Sequence, residues 1–243
     1  MEINTLKRPS EFLISPLHYG TRVSGASEAY SMTLEDMDTY IRRHMPKIKR
    51  ARVGLPTFDG MMTALIIDPT PSSPIDVVRV LLAASPCPHE ENDPDFINFC
   101  GAVFARYAHI VRTLLLSPAP DTAGDFYEVE AHLPNYPDAF TPIISLSPEM
   151  PHEPTAWSIG FHNVVFQRPE VWHPLTRNHP HYQELGHIMY FVPNRKGCPS
   201  NKSIKNHHPD NQHRYATRGL AADAITAFHY FRPPKQANAA HQN

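Results

Sequence analysis

Residues Trp157 to Arg195 read WSIGFHNVVFQRPEVWHPLTRNHPHYQELGHIMYFVPNR, and whether the apolar runs in this stretch are strands or helices decides the fold. WSIGF, NVVFQ and HIMYFV are short, rich in β-branched and aromatic residues, and separated by Pro, Asn and Gly, the pattern of β-strands between turns. Among them stand His162, His173, His179, His181 and His187. Imidazole titrates near neutrality and is the commonest side-chain ligand of transition metals, so a cluster held between two strands points to metal or haem chemistry. The chain carries 16 histidines in all, which makes solvated loop positions the plainer reading for several of them.

Upstream, FYEVEA (126–131) and TPIISL (141–146) continue the β-prone pattern, and MTALIID (62–68) reads as a further short strand. VVRVLLAA (77–84) is ambiguous between strand and helix, and its three valines favour strand. Three segments carry a helical period instead. Ser31 to Met45 has Thr33 and Asp36 in capping-box spacing and Leu34, Met37, Ile41 and Met45 on one face, and Pro46 ends it. Asp93-Pro94 is a good helix entry, followed by a stripe of Phe96, Phe99, Cys100, Val103, Tyr107, Ile110 and Leu114. Leu220, Ala224 and Phe228 give a third helix over Arg218 to Tyr230. No internal repeat is visible. The expectation is an α+β protein: a single domain over residues 1–234 with a mixed, mostly antiparallel sheet flanked by helices, and a disordered polar tail over 235–243.

Composition narrows the function classes. The 22 basic and 24 acidic residues leave a net charge of −2, and the longest basic run is KIKRAR at Lys47 to Arg52, so nucleic-acid binding has little electrostatic support. No apolar segment is read as a bilayer span and the N-terminus lacks the apolar core of a secretory signal, so no membrane association is expected. Cys87, Cys100 and Cys198 are widely spaced with no CxxC pair, which argues against a disulfide framework and fits a reducing, cytoplasmic setting. The 26 prolines read as turn punctuation.

Several catalytic patterns are absent or weak. There is no Gly-x-Ser-x-Gly elbow, no GxGxxG and no Walker loop. FVPNRKGC (191–198) has a superficial likeness to the cysteine loop of thiolate-ligated haem monooxygenases but lacks its glycines and spacing, so Cys198 is not expected to ligate iron. HHPDNQH (207–213) reads as an exposed loop. His179-Pro-His181 with Glu184 resembles a fragment of the His-x-His…Glu set of cupin-type barrels, in which two imidazoles and a carboxylate converge on one ion, and this suggests a non-haem metal enzyme as one alternative.

WSIGFHN resembles the W-[ST]-x-x-F-x-G strand of the YqcI/YcgG family. RPEVWHPLTR falls where that family has Thr-Pro-x-His and Ser-Arg, and MYFVPNR is similar to its Phe-x-Pro-Arg strand end. LHYG at Leu17 to Gly20, the helix around Phe99 and Val103, and HYFRP near the end match further family features in order. Members of the family are haem-dependent, and some N-hydroxylate guanidine groups.

The resemblance implies haem b and an oxygenase that N-hydroxylates a small guanidine- or amine-containing substrate with an external electron donor. Pro169 takes the family proline, and Thr176 and Arg177 take its Ser-Arg. Val171 stands at the usual histidine position and His173 lies two residues on, so His173 is the implied axial ligand, with His162, His179, His181 and Glu184 as other candidate metal ligands. Arg177 or Arg195 would pair with a propionate, because a guanidinium presents a planar fork of donors to a carboxylate. Trp157, Phe161 and Trp172 would wall the porphyrin. Glu149 and Glu153 would meet a cationic substrate. The rival from another class is a non-catalytic member that binds a ligand or partner.

Overall fold

The computed structural model describes residues 32–44, 53–70, 73, 75–76, 93–117, 138–146, 153–176, 185–192 and 209–231. Among them every regular element is helical: α1 (Leu34–His44), α2 (Leu55–Ile67), α3 (Pro94–Leu116), α4 (Pro154–Gln167), α5 (Pro169–Thr176), α6 (Gly186–Phe191) and α7 (Pro209–Phe231). This overturns the expected α+β fold with a mixed sheet. MTALIID lies mostly in α2, WSIGF and NVVFQ form α4, HIMYFV belongs to α6, and TPIISL runs without regular structure. FYEVEA, VVRVLLAA and KIKRAR lie outside the described residues.

For α2 the physical reason is burial on every side. All thirteen residues of α2 are buried, and a helix enclosed by neighbours has no polar face to impose a 3.6-residue period. A short apolar run of that kind cannot be told from a strand by periodicity alone. α2 and α4 form the principal packing of the molecule, with α6 and α7 against α4 and with α1, α3 and α7 against α2. Their backbones meet at two glycines. A Cβ on Gly60 would lie 2.0 Å from the Trp157 carbonyl oxygen, and one on Gly160 would lie 1.9 Å from that of Thr57. Each helix thus gives up a side chain where the other's main chain passes.

Helices with one exposed face behave as their sequences suggest. At α1 the Asp36 N–H donates to Thr33 Oγ1 (3.1 Å) while the Thr33 N–H reaches Asp36 Oδ2 (3.3 Å), the capping box read from the sequence. Asp93 caps α3 by accepting from the Asp95 N–H at 3.0 Å. Cys100 is half-buried on the predicted stripe. α7 starts at Pro209, earlier than its periodic part suggests, so Pro209 to His213 of the expected loop is helical.

At 23 residues α3 is long and apolar enough to cross a membrane by length and composition alone, a helix the sequence reading does not single out as a span. Its inner side, with Phe99, Val103, Ile110 and Leu114, is buried in the protein core.

Candidate functional site

The polar residues that organise the core are four buried aspartates. Asp38 of α1 accepts from the Leu55 N–H at 2.6 Å and pairs with Arg42, placing a carboxylate at the N-terminus of α2, where the helix dipole favours an anion. Asp59 of α2 is fully buried. Its Oδ1 accepts from Arg106 Nε (2.7 Å), and its Oδ2 accepts from Arg106 Nη2 (3.1 Å), the Ile143 N–H (2.9 Å) and Trp157 Nε1 (2.9 Å). Arg106 Nη2 also donates to the Thr141 carbonyl at 3.0 Å. One carboxylate therefore ties α2, α3, α4 and the 138–146 segment together.

Asp68, just after α2, makes a second node. It pairs with Arg168 Nη1 at 2.7 Å and accepts from Trp172 Nε1 at 3.3 Å and from the Thr70 N–H and hydroxyl at 2.9 and 2.8 Å. The fourth carboxylate, Asp223 of α7, accepts from the Ile188 N–H at 2.8 Å, capping α6, and faces His187 Nδ1 at 3.3 Å. Gly219 makes this possible, because a Cβ there would lie 2.4 Å from the His187 ring. Sequence reasoning missed all four. The available signal was an ionisable residue inside an apolar run, as in LPTFDGMM around Asp59 and VFARYA around Arg106.

The residues singled out from sequence are placed as follows. Trp157, Phe161 and Trp172 are fully buried. Phe161 lies between the two tryptophans, with ring centroids 5.4 Å from Trp157 and 5.5 Å from Trp172, and both indole N–H groups are spent on aspartates. Glu153 is exposed at the N-cap of α4, where its N–H donates to the Ile144 carbonyl at 2.7 Å. His173 is exposed on α5. His162 is half-buried on α4, stacked on Phe166 at 6.0 Å, and burial pushes its pKa down. Glu149, Arg177, His179, His181, Glu184, Arg195, Cys87 and Cys198 lie outside the described residues. No group of three or more His, Cys, Asp or Glu side chains able to hold a metal ion occurs among the described residues.

Burial pushes the Asp223 carboxyl up from 3.8 to about 6, only partly offset by the hydrogen bond and charge of His187 and by the N–H groups of His187 and Ile188. A raised folded-state pKa means that the folded protein holds this proton more tightly than the unfolded chain does. The resulting stabilisation is fully present below the unfolded value and is lost as pH rises through about 6. Wild type is therefore expected to gain stability relative to Asp223→Asn as pH falls from neutral to about 4. Chemical denaturation of both proteins across that range measures it, and a pH-independent difference would show that Asp223 is already ionised when folded.

The second feature is on the surface. Ile97, Gly101, Phe104, Ala108, Val111 and Leu115 of α3 recur at intervals of three or four residues, which places them on one side of the helix, roughly opposite the buried Phe99, Val103, Arg106, Ile110 and Thr113. Ile97 is 40% exposed, Leu115 65% and neighbouring Leu116 47%. Gly101, Phe104, Ala108 and Val111 between them are half-buried. An open apolar depression of about 540 Å³ runs along the C-terminal half, lined by Tyr107, Ala108, Val111, Arg112, Leu115 and Leu116. α3 thus has one apolar face committed to the core and a second that is half-buried in its middle, where Val111 also packs against the core, and exposed at its ends.

No family model, curated protein or solved structure matches the chain.

Proposed function

We propose that the protein is a helical association domain that works by binding rather than by catalysis, and that the outer face of α3 docks on a second copy of the chain. The supporting observation is that Ile97, Leu115 and Leu116 are exposed, with half-buried apolar residues between them, on a helix whose other side is already buried. The best-formed polar node is a poor alternative. Asp59 is fully buried and held by four donor contacts from Arg106, Ile143 and Trp157, so its carboxylate is closed off from a ligand. Haem-dependent N-hydroxylation, the reading implied by the family resemblance, gains no support from this geometry, because Trp157 and Trp172 are pinned to aspartates inside the core.

The area sets the strength of association. The stripe covers about 27 Å of helix at 1.5 Å per residue, and a strip about 10 Å wide gives roughly 500 Å² over two copies. Stable interfaces bury about 1,200 to 2,000 Å², so the dimer should be reversible and weaker than about 1 µM. Sedimentation equilibrium up to several hundred micromolar is expected to show monomer and dimer in exchange for wild type and monomer alone for Ala108→Asp, with unchanged far-UV circular dichroism. A wild-type chain that stays monomeric throughout contradicts the proposal.

A further inference from the structure

We draw no further inference here: the strongest candidate, the His187–Asp223 side-chain pair between α6 and α7, sets a buried carboxylate beside an imidazole at the start of α6, but a role as a pH-sensitive clamp on that helix rests on the raised pKa of Asp223 alone.

Discussion

Gly60→Ala and Gly160→Ala should each destabilise the protein by at least about 3 kcal/mol, at or beyond the top of the usual range for overpacking a core. A new Cβ at either position would lie about 2 Å from a main-chain carbonyl oxygen of the facing helix. No rotamer change relieves such a clash. α2 and α4 would have to separate along the contact that organises the molecule, pulling Trp157 from Asp59 and loosening the aromatic stack around Phe161. With total stabilities of about 5 to 15 kcal/mol typical of such domains, either variant should show a sharply lowered urea midpoint or fail to fold. Gly186→Ala is the control. Nothing lies within 4 Å of a Cβ there, and the alanine should be neutral or stabilise by up to about 1 kcal/mol. Equal effects at all three positions would mean that the helices do not cross at their glycines.

Arg106→Met is expected to cost about 3 to 5 kcal/mol, because it removes the cation and leaves the Asp59 carboxylate buried with its two neutral donors, the Ile143 N–H and the Trp157 indole. The double variant Arg106→Met with Asp59→Asn removes both charges while an amide oxygen can still accept from the Ile143 N–H and the Trp157 indole, so it should recover much of that loss. A double-mutant cycle by urea denaturation supplies the numbers. If the single variant loses less than about 1 kcal/mol, or the double variant is worse than the single, the pair is not the buried node described above.

The contrast between the helices that are legible in the sequence and those that are not is physical. α1 and α3 carry a cap and a one-sided apolar stripe, and their starts stand where the capping residues put them. α2 is enclosed on all sides, which erases its periodic signal, and α4 carries apolar Ile159 and exposed Phe166 opposite its buried face, which blurs its own, so MTALIID, WSIGF and NVVFQ look like strands. One cue does survive in the sequence. Pro56, Pro154 and Pro169 stand at helix starts, the position proline favours because its missing N–H would have no partner there. Between apolar runs this short, the same prolines pass equally well for breaks between strands.

The candidate site is less legible. His162, His173 and His187 look like a cluster along the chain, but the fold spreads them over α4, α5 and α6 and gives them different surroundings: His162 on Phe166, His173 in solvent and His187 on Asp223. Trp157 and Trp172 invite a reading as a cofactor wall, yet each uses its N–H to satisfy a buried aspartate. The stripe that stands out on α3, from Phe96 to Leu114, is mostly its inner face. The second stripe is equally present in Ile97, Phe104, Val111 and Leu115, but a helix with two apolar faces reads at first as one buried on both.

Every step from the buried aspartates to the outer face of α3 depends on α2 and α4 being helices, the point on which the sequence pattern and the structure part. Backbone Cα chemical shifts of isotopically labelled protein across Met61–Asp68 and Trp157–Gln167 test it residue by residue. The account predicts an unbroken run displaced in the helical direction through α2 and α4, up to Ile67 and Gln167. A run displaced toward strand values in either segment would contradict it.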